Sequence, residues 1–169
     1  MDAVEDIGRR VIHGSFAVPL DVSVPPDRVF AAYADASVRR RWFRIPSDPA
    51  SRHYELDFRA GGGEVAGGVF TQDGVGEHLE YRSHFLDVVP DERIAFTYEV
   101  IVDGRRRWVS LVTIELTPQA HGTRVTHTEQ YAFLEFTGDG RRDVAHLHGG
   151  VRLQLNGLAA VLEPRLAGV

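Results

Sequence analysis

The chain contains no cysteine. Disulfides, thiolate nucleophiles and cysteine-ligated metal centres are therefore excluded. It contains no lysine either, since all 19 basic residues are arginine, which removes Schiff-base chemistry and any phosphate-binding lysine. No apolar run approaches the roughly 18 residues that cross a bilayer, so no membrane span is expected. Positive charge is in deficit: the net charge is −5, which argues against a general nucleic-acid surface. Met1 to Arg10 mix acids with bases and hold no apolar stretch. No signal peptide is expected there, and a cytoplasmic location is the simplest reading.

What is present reads as one globular domain over residues 1–169, with its core at about 14–163; 43% of the residues are hydrophobic and 25% charged, enough to build a core. Phe16, Val18, Leu20, Val22 and Val24 alternate, the period of a half-buried strand. Pro25-Pro26 ends it and opens a short helix with Val29, Phe30 and Tyr33 on one side. Asp35 or Ser37 can cap a second short helix ending near Trp42-Phe43. Arg44 to Ser51 reads as a loop.

A block of strands follows. Tyr54, Leu56 and Phe58 alternate with polar neighbours, and Gly61-Gly62-Gly63 turns the chain. Gln72-Asp73-Gly74 and Asp103-Gly104 are further turn signals, the second a hairpin. Between about His78 and Val89 the apolar phase shifts from Phe85 to Leu86 and Val88, which predicts a bulge. Ile94, Phe96, Tyr98, Val100 and Val102 form one inward row, and Trp108, Ser110, Val112, Ile114 and Leu116 another. Val125, His127, Glu129, Tyr131 and Phe133 share a face in the last strand. From Arg141 to Glu163 the period becomes helical, with Val144, Leu147, Val151, Leu155, Leu158 and Leu162 in one stripe. Such a helix spans roughly 34 Å, enough to cross the sheet. The class is α+β: a curved antiparallel sheet wrapped around one long C-terminal helix.

Several segments carry a resemblance. They are Val24-Pro25-Pro26-Asp27-Arg28-Val29-Phe30-Ala31-Ala32-Tyr33, Arg41-Trp42-Phe43, Leu56-Asp57-Phe58-Arg59-Ala60-Gly61-Gly62, Val89-Pro90-Asp91-Glu92-Arg93-Ile94, and Gly122-Thr123-Arg124-Val125-Thr126 with Thr128-Glu129-Gln130. In this order and spacing the chain resembles the bacterial proteins named after the activator of the heat-shock-90 chaperone ATPase, in the START/Bet v 1-like superfamily. The resemblance implies a helix-grip fold with a hydrophobic cavity between sheet and final helix. Many members of that family carry a Gly-Trp pair in this helix, its indole in the cavity. Here the place reads His148-Gly149-Gly150-Val151, which implies a larger space unless sheet aromatics fill it.

Residues expected to line such a pocket are Phe43, Phe58, Tyr81, Tyr98, Trp108, His127, Glu129, Tyr131, His148, Val151 and Leu155. His127 and Glu129 allow three readings: a pair satisfied within the protein, a ligand contact, or a general acid and base. His148 sits beside the stripe, at the pocket wall or its rim. Gly149-Gly150 reads first as close packing of helix on sheet, with room for a ligand as the alternative. Asp57 and Arg59 suit an ion pair at the bend. Arg39-Arg40-Arg41 and Arg105-Arg106-Arg107 read as solvated surface. No metal site is expected, because His146 and His148 are two apart and lie on different helix faces. Gly61-Gly62-Gly63 opens no helix, so it is not a phosphate loop. No Gly-x-Ser-x-Gly elbow is present.

The leading expectation is a protein that binds a small apolar or aromatic ligand, without cofactor and with no catalytic residue assigned. The alternatives are a chaperone-associated interaction module and a cyclase or hydrolase using Glu129 with His127 or His148. A homodimer through an exposed strand edge stays open.

Overall fold

The computed structural model of the chain describes residues 11–164. Met1 to Arg10, where no signal peptide is expected, lie outside the described residues. The fold opens with β1 (Ile12–Val22), α1 (Pro26–Ala34) and α2 (Ala36–Trp42). Six strands then run in succession: β2 (His53–Leu56), β3 (Gly63–Gln72), β4 (Val75–Val89), β5 (Arg93–Val102), β6 (Arg105–Gln119) and β7 (Gly122–Phe133). The last element is α3 (Arg141–Leu162). The strands form one antiparallel sheet in the order β1-β7-β6-β5-β4-β3-β2. The first strand thus pairs with the last, and all other neighbours are consecutive.

Local chemistry sets these boundaries. Pro25 takes the extended N-cap position of α1, and Pro26 begins the helix where its missing N–H is not needed. Asp35 caps α2, its Oδ1 accepting from the N–H groups of Ser37 and Val38 at 2.8 and 3.3 Å. At the two Asp-Gly hairpins both central residues have positive φ: 53° and 78° at Asp73-Gly74, 48° and 77° at Asp103-Gly104. That is the hairpin geometry whose twist matches the flanking strands. The register shift in β4 falls between Phe85 and Asp87, where the apolar phase changes. A second shift, between Val100 and Ile101, leaves no such break in the apolar row. β2 ends at Leu56, so Phe58 lies just beyond the strand.

The stripe on α3 delivers Leu147, Val151, Leu155, Leu158 and Leu162 to the core. They meet Ile94, Val112, Ile114, Leu116 and Val125 of the sheet, with Val29, Tyr33 and Trp42 from the short helices in the same cluster. The grip is uneven along its length. Toward the C-terminal end Gly157 lies tight on α2: a Cβ there would meet the Trp42 carbonyl oxygen at 3.3 Å. The Glu163 carboxylate also accepts a hydrogen bond from the Ser23 backbone N–H. At Gly149 and Gly150 an added Cβ would meet nothing within 4 Å. Close packing is therefore not the reason for this glycine pair; the tight glycine of α3 is Gly157.

The contrast is measurable by urea unfolding. Gly149→Ala should raise stability by about 1 kcal/mol, the helix-propensity difference in open space. Gly157→Leu should lower it by about 1–3 kcal/mol through overpacking on Trp42. Equal effects at the two sites would contradict the uneven grip.

Candidate ligand site

Alternation along β7 turns Val125, His127, Glu129, Tyr131 and Phe133 toward α3. Glu129 is wholly buried, and all its partners belong to the protein. Its Oε1 accepts from the Tyr98 hydroxyl at 2.5 Å and from Ser110 Oγ at 2.6 Å. Its Oε2 lies 3.0 Å from His127 Nε2. The Trp108 indole N–H donates to the Tyr98 oxygen at 3.2 Å. One carboxyl thus ties together β5, β6 and β7. Burial, and then the charge and hydrogen bond of Glu129, push the Tyr98 phenol well above its ordinary value.

A second buried network stands nearer the other edge. Arg39 of α2 grips Glu64 of β3 through two bonds of 2.8 Å, Nε to Oε1 and Nη2 to Oε2. Tyr54 donates to Glu64 Oε1 at 2.7 Å, and the Glu64 N–H donates to Ser83 Oγ at 3.1 Å. The guanidinium carbon sits 4.2 Å from the ring centres of both Trp42 and Phe43. Burial works against the charge on Arg39, but the Glu64 carboxylate outweighs it and raises the guanidinium above its usual range. Arg39 is therefore not solvated surface. It stands three residues before Trp42, so both lie on the buried face of α2. That spacing was the available signal. Glu64 shares its strand face with Ala66, both buried, and a phase assigned to β3 would have found it. Tyr81 lies between the networks, its ring 5.0 Å from that of Tyr98. Burial first, then Glu64, pushes its phenol well up.

The expected pocket residues do not converge on one space. Phe43 packs on Tyr81 at 4.8 Å and Phe58 on Phe85 at 5.1 Å, while Val151 and Leu155 are buried in the central stripe. Tyr98, His127 and Glu129 belong to one buried hydrogen-bonded network. Tyr131 and His148 face β1: the His148 ring centre is 3.9 Å from that of Phe16 and 6.3 Å from that of Tyr131. His148 Nε2 is buried and has no hydrogen-bond partner. Trp108 stands at the start of α3, its ring 5.4 Å from that of Phe133.

Trp108 and Phe133 wall a hollow of about 360 Å³, completed by Thr137, Arg142, Asp143 and His146. Phe133, Thr137, Arg142 and His146 were not foreseen as site residues. Arg142 and His146 are four apart and so share one helix face. A larger hollow of about 820 Å³ runs across β1, β7, β6, β5 and β4, bordered by the exposed His13, Arg82 and Gln130 and also by the expected pocket residues Tyr98 and Tyr131. The other arginine run is paired at the surface, Arg105 with Glu135 at 2.8 Å and Arg107 with Asp143 at 3.2 Å. Arg59 meets Asp57 at 2.9 Å, as the bend suggests. No cluster of metal-ligating side chains occurs among the described residues. No helix among them is long and apolar enough to cross a membrane.

A seven-stranded antiparallel sheet around one long C-terminal helix, with two short helices after the first strand, defines a helix-grip protein of the START/Bet v 1-like class. Within that class the chain belongs to the family described as Activator of Hsp90 ATPase homolog 1-like protein, whose model matches residues 23–163. Similar solved structures include the Mll3558 protein from Rhizobium loti, 39% identical, with TM-score 0.77, covering 89% of this chain and 98% of that one. An uncharacterised protein from Rhizobium leguminosarum is 30% identical, with TM-score 0.78, covering 90% of this chain and 96% of that one. Protein CV1439 from Chromobacterium violaceum, 24% identical with TM-score 0.64 and covering 89% and 99%, shares the fold. No curated protein matches the chain.

Two measurements check the networks. Glu64→Gln should destabilise the fold by about 3–5 kcal/mol, because it leaves the buried Arg39 charge without its partner. An Arg39→Met/Glu64→Leu double variant should recover most of the loss; a surface-like loss below about 1 kcal/mol would refute the buried pair. Of the five tyrosines, Tyr33, Tyr54, Tyr81 and Tyr98 have phenols raised above their ordinary value, in each case chiefly by burial. A raised phenol favours the folded state fully below the unfolded value of about 10, and loses that contribution as pH climbs toward its folded value. Phenolate absorbance of the native protein should stay low above about pH 10 and then rise with unfolding, stability falling over the same range. Smooth ionisation of all tyrosines near the ordinary value, with the fold intact, would contradict this.

Proposed function

We propose that the protein binds a small, largely apolar aromatic molecule between β6–β7 and the first turns of α3, and that it does so without covalent chemistry. The hollow walled by Trp108 and Phe133 is the observation that carries this reading. Its volume of about 360 Å³ falls within the range of small-molecule sites, which are mostly apolar with a few placed polar groups.

The Glu129 cluster supports this site from behind Trp108. Trp108 is held by its bond to Tyr98, and Tyr98 by its bond to Glu129. An aromatic side chain fixed in this way presents a rigid face to a ligand at little cost in entropy. Both carboxyl oxygens of Glu129 are engaged by Tyr98, Ser110 and His127, which favours a structural over a catalytic role. A chaperone-associated role is the second reading, favoured by the family to which the chain belongs. Co-purification with a chaperone and stimulation of its ATPase would support that reading instead.

Native mass spectrometry of gently purified protein should reveal a bound small molecule. Trp108→Ala should weaken its retention at least about tenfold, the scale of losing one large aromatic contact. A ligand retained equally by both proteins would remove this site from consideration.

A further inference from the structure

The hollow at the start of α3 carries a guanidinium as well as an aromatic surface, and this gives its occupant a second property. Five arginines crowd this end of the fold: Arg105, Arg106, Arg107, Arg141 and Arg142. Arg105 pairs with Glu135, Arg106 with Glu99, Arg107 with Asp143 and Arg141 with Asp139. Arg142 makes no ion pair among the described residues, and it is the one that borders the hollow. His146, one turn further on, borders it too. The single carboxylate in the lining, Asp143, is already engaged: Oδ1 accepts from Arg107 at 3.2 Å and Oδ2 from the Thr137 N–H at 2.9 Å. Its charge is therefore offset from outside the hollow. What remains facing the space is the Trp108 indole on the sheet side, backed by the buried Phe133 ring, and on the helix side the Arg142 guanidinium, which has no ion pair among the described residues.

Arginine is the side chain best shaped for a carboxylate, which it can hold by two parallel hydrogen bonds. The sheet supplies flat apolar surface through Trp108 and Phe133, 5.4 Å apart by ring centres. We propose that the site selects an aromatic acid, its ring system against Trp108 and Phe133 and its carboxylate on Arg142 with His146 beside it. The inference rests on the ligand-binding reading above and adds the sign of the ligand's charge. Arg142 and His146 are both exposed at the helix surface, so the acid group lies at the mouth while the ring points inward.

Two fluorescent probes with the same fused-ring frame separate the terms: anilinonaphthalene sulfonate, an anion, and the neutral N-phenyl-naphthylamine. Each is titrated into the full chain and into Arg142→Ala, Arg141→Ala and Trp108→Ala, with thermal melting as the folding control. Arg142→Ala should weaken the anion about tenfold, the weight of one charge-assisted hydrogen bond, and leave the neutral probe within about twofold. Arg141→Ala, which removes a paired neighbour of the same charge, should change neither. Trp108→Ala should weaken both. Equal losses from Arg142→Ala and Arg141→Ala would reduce the effect to diffuse charge and overturn the proposal. Equal loss of both probes in Arg142→Ala would overturn it as well. Probes that ignore Trp108→Ala, or that fail to bind, would remove the hollow itself and the ligand-binding reading with it.

Discussion

One helix has to cover the inner face of a seven-stranded sheet, and the rest of the architecture follows from that shortage. A sheet with one apolar face cannot leave it to water, and α3 is the only element long enough to run across it. Its apolar stripe, from Leu147 to Leu162, meets the strands near the middle of the sheet, where Ile94, Val112, Ile114 and Val125 have almost no exposure. Beyond that strip the cover has to come from elsewhere. On the β2–β3 side it comes from α2 and from the aromatic series Phe30, Phe58, Phe85 and Phe96. On the β6–β7 side α1 lies against both strands, and at the Trp108–Phe133 end the neighbours are Thr137 and the first turns of α3. The hollow beside Trp108 and Phe133 is what the shortage leaves.

Burying polar groups inside such a sheet is costly unless each finds its partner, and the two acids solve this differently. Glu64 meets a full positive charge, Arg39, and the pair joins α2 to β3 across the core. Glu129 meets hydroxyls and an imidazole, and joins three neighbouring strands. Replacing the first by apolar groups of similar size would be tolerable on general grounds. The second is harder to replace, because it orients Tyr98 and through it Trp108. The first network therefore secures the closed end of the molecule, and the second shapes the open one.

Much of this was legible in the residue pattern. Alternation fixed the faces of β1, β5, β6 and β7, and the change to a helical period fixed α3. The phase break near Leu86 located a bulge, because a side chain on the wrong face leaves a mark in the apolar row. The shift at Val100 left none, since the apolar row continues through it. Arg39 was misread because a run of three arginines looks solvated as a string. On a helix only one of the three shares a face with Trp42, and that one is buried. The hollow escaped for another reason. Thr137, Arg142 and His146 come together only through the packing of α3 on the sheet, and no local period encodes that meeting.

The glycines of α3 sit in different surroundings. Gly157 is the position where helix meets helix, and it makes a close approach possible near the pinned C-terminal end. Gly149 and Gly150 have no such neighbour, so they weaken the helix with no packing in return. In a purely structural element an alanine at either position would be the better residue. Gly149 is exposed and Gly150 half-buried, so the open space beside them belongs to the helix surface. Burial explains why Glu129 is saturated by protein groups. Glu129 has no exposure, so its carboxyl has to find its partners among the protein's own groups.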